Sequence, residues 1–491
     1  MKLGSSWLSS LGLSLVLLFL FPCIEALRLA PRNAAPAVIS LDIQRRSIEN
    51  PVKRDRVRRQ EKTVQEGLDN EQTLYFCNLT LGTPEQKLRL HIDTGSSDLW
   101  VNSAQSALCT QPSDPCSESG TYDIQASSTS GFVSSDFNIT YMDGSSALGD
   151  YVTDTLGIGG QQLKDFQFGI GESSSSAQGV LGIGYPMNEV QVSRNFGEPY
   201  PNLPSAMKNA GLIRSTAYSL WLNDLDANTG SILFGGVNTG KFSGNLFSLP
   251  VQRVNGAHSA LIVTLTGFSM NVGSQGEPFD SRTLPTPVLL DSGSSLTYLP
   301  DGIVATIFDE LGVTFNGRQG IGYVPCNLPI DKGSGFNFTF SGPSIFVGLD
   351  EMIISAGSDS SGSQPQFSDG EPACIFGIAP SSSSISVLGD TFLRSAYVVF
   401  DLENNEISIA KTNFNSTEDN IVEITEGKDG VPDATGVLNP VTSVTAPTGG
   451  AHLDATGTGV ITGAPNSATV SMETPNWLVY SALMLGVLAV I

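Results

Sequence analysis

The chain has 491 residues, enough for two substantial hydrophobic cores with non-globular segments to spare. Its 48 Asp and Glu outnumber 25 Lys and Arg, and the resulting net charge of −23 at neutral pH argues against nucleic-acid binding. Its three histidines, His91, His258 and His452, show no ligand spacing, so neither a metal nor a cofactor is expected.

The first predicted element is an apolar run at residues 11–21 behind Lys2, with a small residue at Ala26. It reads as a signal peptide over residues 1–26, shorter than the span of about 20 residues that a membrane helix needs. The dibasic pairs Arg45-Arg46, Lys53-Arg54 and Arg58-Arg59 follow in a segment poor in core-forming residues. Such pairs usually lie on a solvated surface. Placed between a signal peptide and the first strand, they mark residues 27–59 as a propeptide, with the mature chain starting at Asp55 or Gln60. The first 59 residues hold 10 Lys and Arg against 4 Asp and Glu, which leaves 15 basic and 44 acidic residues and a charge near −29. With so few cations, positive self-repulsion stays small when carboxylates protonate, which suits acid tolerance.

Leu88, Leu90 and Ile92 alternate with polar residues up to Asp93, and Val288-Leu289-Leu290 lead into Asp291, so each acid ends a buried strand. Both acids open the same motif, Asp93-Thr94-Gly95-Ser96-Ser97 and Asp291-Ser292-Gly293-Ser294-Ser295. A single Asp-x-Gly is usually a strand-ending turn. Two copies suggest loops that meet face to face, where Gly95 and Gly293 permit close approach and Ser96 and Ser294 hydrogen-bond the carboxylates. Carboxylates that close cannot both ionise, so one site holds a general acid and a general base that can activate a water against a peptide carbonyl.

With these motifs the chain resembles the pepsin-like aspartic peptidases from about residue 72 to 412. Tyr75-Phe76 followed by Leu81-Gly82-Thr83-Pro84 resembles their first strand and turn, and Trp100 follows Asp93 at their spacing. Tyr141-Met142-Asp143-Gly144-Ser145 resembles the flap hairpin. Val180-Leu181-Gly182-Ile183-Gly184-Tyr185 and Val387-Leu388-Gly389-Asp390 resemble the segments packed behind each catalytic loop, so the halves repeat in order. The resemblance implies a mostly β, bilobal fold with a cleft between pseudo-symmetric lobes, residues 60–250 and 251–412, with short helices near 203–210 and 303–311. It implies Asp93 and Asp291 as the catalytic pair, and Tyr141, Asp143, Gly144, Ser145, Gly95, Gly293 and Ser294 as substrate-binding. Ser96 and Trp100 would support them, with the Tyr141 hydroxyl bonding the Trp100 indole. A propeptide of this family occupies the cleft, where basic side chains pair with the acids. Cys109 and Cys116 bracket a short polar loop, and Cys326 and Cys374 lie where the family closes a second one, so both pairs are expected as disulfides in a secreted chain. Cys77 is left as a buried free thiol. The Ser- and Gly-rich stretches 173–176, 355–370 and 381–384 read as surface loops.

Asn78, Asn138, Asn337 and Asn415 open Asn-x-Ser/Thr sequons. From residue 413 to 466 the chain turns Ser-, Thr-, Gly- and Pro-rich and reads as a flexible stalk. Residues 467–491 end in an uncharged apolar tail with small residues before it, which resembles a GPI-attachment signal at Asn466, with Gly463 as second choice. A transmembrane anchor competes, but the 15 apolar residues from 477 to 491 are short for one.

The sequence thus reads as a secreted, GPI-anchored aspartic endopeptidase similar to fungal yapsins, a monomer acting on proteins or peptides at the plasma membrane or cell wall. Asp143 implies a preference for Lys or Arg before the scissile bond. A catalytically dead pepsin fold and a structural cell-wall glycoprotein are the rivals, and neither needs both acid motifs. A serine hydrolase lacks its Gly-x-Ser-x-Gly elbow here.

Overall fold

Short apolar or alternating runs recur from residue 71 onward, and the chain folds accordingly into strands. The computed structural model describes residues 37–48, 71–141, 144–194, 197–227, 229–272, 275–278, 283–317, 319–357, 364–381 and 385–444. The signal peptide, the pairs Lys53-Arg54 and Arg58-Arg59, both candidate mature termini, Met142, Asp143, Gly463, Asn466 and the GPI signal lie outside the described residues.

Strands β1 (Ile39–Ile48), β2 (Glu71–Leu81), β3 (Gln86–Asp93) and β4 (Leu99–Asn102) open the first half. They are followed by β5 (Gly131–Thr140), β6 (Ser146–Ile158), β7 (Gln161–Ser174) and β8 (Val180–Gly182). Next come β9 (Ala217–Trp221), β10 (Thr229–Phe234), β11 (Gly236–Asn238) and β12 (Phe242–Pro250). Among the described residues a 14-stranded sheet runs in the order 434–436, β12, 406–412, 396–401, β9, β10, β1, β2, β3, β8, β4, β7, β6, β5. Tyr75, Cys77, Leu79 and Leu81 of β2 meet Leu88, Leu90 and Ile92 of β3 in the main core. The second half adds smaller sheets of its own. Yet strands Ala396–Asp401 and Glu406–Thr412, near the end of the expected second lobe, return to the large sheet, so residue 250 does not divide two separate sheets.

Each half builds the same loop support. Strand β3 pairs in parallel with β8, Asp93 opposite Gly182, and β8 pairs antiparallel with β4. Strand Thr286–Leu290 likewise pairs in parallel with Ser386–Leu388, which pairs antiparallel with Thr297–Leu299. Glycine follows because the Asp-containing loop crosses directly over each support: a Cβ on Gly182 would lie 2.6 Å from Ser97 N. On Gly389 it would strike Ser294 O and Leu296 O.

Two expectations change. The middle of the expected propeptide is strand β1, inserted between β10 and β2 rather than lying over the acids, with Ile39, Leu41 and Ile43 buried in the main core. The expected stalk does not begin at 413. Residues 413–444 strap back onto the fold: Ile421–Glu423 pairs with β11 and Ala434–Gly436 with β12, while Ile424 and Val431 join Trp221, Val237 and Leu246 in a buried cluster. The apolar residues that anchor the strap are too widely spaced to show a period in the sequence. Helices form at Leu203–Asn209 and Asp301–Leu311, and Ser173 and Ser174 belong to the end of β7 rather than to a loop.

Candidate active site

Asp93 and Asp291 face each other at the junction of the halves, so tightly that a Cβ on Gly95 would stand 2.6 Å from Asp291 Oδ1 and one on Gly293 would press on Asp93 Oδ1. Only glycine leaves the space. Each carboxylate is held identically by its own loop. Asp93 accepts from Gly95 N at 2.8 Å and Ser96 Oγ at 2.5 Å; Asp291 accepts from Gly293 N at 2.8 Å and Ser294 Oγ at 2.7 Å. Burial, and then the charge of Asp93, push the Asp291 carboxyl up to about 7. The pair therefore keeps one proton through the acidic range, which places an acid and a base side by side.

The loops are also stitched to each other, which sequence reasoning did not anticipate. Thr94 Oγ1 donates to Leu290 O at 2.8 Å and Ser292 Oγ donates to Ile92 O at 3.0 Å. Thr94 N donates to Ser292 Oγ at 3.2 Å, and Ser292 N to Thr94 Oγ1 at 3.0 Å. The signal was a hydroxyl residue at the second position of both motifs. Asn188 Nδ2 further braces the first loop through Gly95 O at 3.2 Å.

The hairpin between β5 and β6 carries Tyr141, which accepts the Trp100 indole N–H on its hydroxyl at 2.8 Å. Its tip closes through Tyr141 N to Ser145 O and Gly144 N to Tyr141 O, with Gly144 at φ +80. Trp100 is buried among Phe137, Ile139, Ala147, Tyr151, Val180, Val190 and Tyr200. Beneath it lies a buried acid pair absent from the sequence reading. Asp98 accepts from Tyr151 and Tyr200 hydroxyls at 2.8 and 2.9 Å and from Val190 N at 2.9 Å, while Glu189 Oε2 accepts from Tyr200 N at 2.9 Å. Burial, reinforced by Asp98, pushes Glu189 up to about 10, so it is neutral at physiological pH.

Disulfides join Cys109 to Cys116 and Cys326 to Cys374, and Cys77 is a buried free thiol pushed by burial up to about 12. Of the sequons, Asn78 and Asn415 are exposed, Asn138 is half-buried, and half-buried Asn337 donates to Ser269 Oγ and Asn271 Oδ1. Among the described residues no group of His, Cys, Asp or Glu is arranged to hold a metal.

Residues 74–412 match the family described as eukaryotic aspartyl protease. The chain belongs to that family. A relative in Aspergillus oryzae described as probable aspartic-type endopeptidase opsB is 56% identical over 466 residues, covering 93% of this chain and 94% of its own. Another in Arthroderma benhamiae, described as probable aspartic-type endopeptidase OPSB, is 50% identical over 491 residues, 99% of this chain and 97% of its own. The crystal structure of the Irpex lacteus aspartic proteinase aligns at TM-score 0.55 and 19% identity over 79% of this chain and all of that one, a likeness of fold. This protease is an aspartic-type endopeptidase with a mostly β, bilobal fold.

Proposed function

We propose that Asp93 and Asp291 share one proton and one water, and that the protease hydrolyses peptide bonds without a covalent intermediate. The ionised carboxylate takes a proton from the water as its oxygen attacks the carbonyl carbon, and the protonated one gives its proton to the carbonyl oxygen. The tetrahedral gem-diol collapses when the carboxyl that took the water proton gives it to the amide nitrogen and the other carboxylate takes a proton back from a gem-diol hydroxyl, so that the C–N bond breaks and the pair again holds one proton. The matched hydrogen bonding of the two facing carboxylates is the observation that carries this reading. Tyr141, with Gly144 and Ser145, covers the substrate, held from behind by Trp100.

The finer reading is of a secreted, monomeric enzyme, made with a propeptide and held at the cell surface through a GPI anchor at Asn466. The apolar leader and the short, uncharged apolar tail support it. Asp143 supports a preference for Lys or Arg before the scissile bond, since a carboxylate in a closing, low-dielectric lid offsets the cost of burying a cation.

Asp93→Asn and Asp291→Asn should each abolish peptide cleavage while the melting transition is kept. Near-normal turnover by either folded variant removes the assignment. Asp143→Thr should lower kcat/KM for Lys and Arg substrates by about tenfold and spare Leu and Phe. Equal losses on both would assign Asp143 to hairpin structure.

A further inference from the structure

The two catalytic loops are near copies, but the strands that deliver them are not. Two residues before Asp93 stands His91; two residues before Asp291 stands Leu289. Strand alternation puts His91 and Asp93 on the same face of β3, roughly 7 Å apart along the strand. His91 is 3% exposed, and its Nε2 lies 3.3 Å from Ser292 O, in the loop of the other half. A carbonyl oxygen only accepts, so the imidazole carries its hydrogen on Nε2 and donates it across the junction.

The carbonyl it meets belongs to the Ser292–Gly293 peptide, whose N–H is the one that holds Asp291 Oδ1 at 2.8 Å. Because the peptide is planar and trans, its C=O and N–H point in opposite directions, so a donor on the oxygen polarises the N–H aimed at the carboxylate. The chain of contacts runs from His91 Nε2–H through Ser292 O and Gly293 N–H to Asp291 Oδ1. In the mirror position Leu289 has no donor to offer the Thr94–Gly95 peptide. The ring is itself fixed: its backbone N donates to Gly179 O at 3.1 Å, and its face tilts against Phe76, the cross-strand neighbour, at 5.7 Å between centroids. Phe76 carries the Arg89 guanidinium 4.1 Å above its ring. Among the described residues, Arg89 and Asp93 share the face of His91 on its own strand and Asp291 lies across the junction, while β2 presents Phe76 and β8 its backbone.

We propose that His91 is a positioning residue for the dyad, acting through the Ser292–Gly293 peptide to hold and favour the ionised form of Asp291 alone. The proposal rests on the assignment of Asp93 and Asp291 as the catalytic pair. Loss of the donor should weaken the Gly293 N–H bond to the carboxylate, while the loops stay in register through the Thr94 and Ser292 hydrogen bonds and the substrate-binding surface is unchanged.

The test compares His91→Phe, which keeps a flat ring without a donor, with His91→Gln, which restores an N–H at similar reach. Rates are counted per active site by titration with the tight-binding inhibitor pepstatin. We expect His91→Phe to lower kcat about tenfold with KM within about twofold, and to move the alkaline limb of the kcat/KM profile, set by loss of the proton Asp291 holds, upward by roughly half a pH unit. His91→Gln should stay within about threefold of the parent with its alkaline limb in place. A purely structural role would reduce titratable sites and leave the limb where it was. The proposal falls if His91→Phe keeps its kcat and profile, or if His91→Gln loses as much as His91→Phe. Asp93→Asn, assayed alongside, separates the two ideas: its activity, not that of the His91 variants, decides the dyad.

Discussion

Removing the chain after Thr412, where the family match ends, should strip the fold of its strap and destabilise it. Ile424 is fully buried and Val431 only 8% exposed, and both would be lost. At about 1.5–3 kcal/mol for each buried aliphatic side chain, their removal costs about 3–6 kcal/mol before the uncovering of Trp221, Val237 and Leu246 is counted. The ladder from Ile421–Glu423 to β11 disappears with them, as does the Ile424 N bond to Gly235 O at 2.8 Å. Lys241, 7% exposed, also loses Ser416 O at 2.9 Å and Asp419 at 3.2 Å. A loss of that size lowers Tm by on the order of 10 °C in a chain this long. The assay is thermal unfolding at one scan rate of three secreted forms: full length, cut after Val444, and cut after Thr412. The cut after Val444 should melt with the full-length protein, the cut after Thr412 about 10 °C lower, and Ile424→Ala in between, with a cost of about 2–5 kcal/mol. If the Thr412 form melts within about 2 °C of the Val444 form, the strap contributes nothing and the reasoning is wrong.

Glu189→Gln should flatten the loss of stability toward alkaline pH. With a folded value of about 10 against the ordinary 4.5, the native state binds the extra proton across that interval, so stability present in acid is lost as pH rises through it. Denaturant midpoints at pH 5 and pH 8 should separate less in the variant; an unchanged separation would clear Glu189 of the effect. Processing should occur at Lys53-Arg54 or Arg58-Arg59 and spare Arg45-Arg46, because that pair is laddered to Tyr75 and Leu74 inside the sheet. Mass spectrometry of the mature enzyme should find the 39–48 strand still bound without a covalent link, and its clean loss on native gel filtration would count against this. Phosphatidylinositol-specific phospholipase C should release the full-length protein from cells; retention while a known GPI protein is released, with wall crosslinking excluded, would argue against the anchor.

The facing of Asp93 and Asp291 was legible in the sequence because the motif that holds each carboxylate is local and duplicated. An acid, a glycine and a hydroxyl at fixed offsets satisfy each carboxylate from its own loop, so the motif alone specifies Gly95 N and Ser96 Oγ on Asp93 and Gly293 N and Ser294 Oγ on Asp291. Strand alternation around Leu88, Leu90 and Ile92 likewise needs no partner to be read. Tertiary structure decided what depends on contacts between distant residues. His91 looks like a stray histidine until Ser292, 201 positions away, is brought to its ring. Glu189 becomes a neutral acid only when the fold buries it beside Asp98. Residues 39–48 and 413–444 have the composition of disposable ends, yet the first is a strand and the second pairs through two short strands, 421–423 and 434–436, because unpaired β10, β2, β11 and β12 edges supply the hydrogen bonds and apolar cover that neither segment can make for itself.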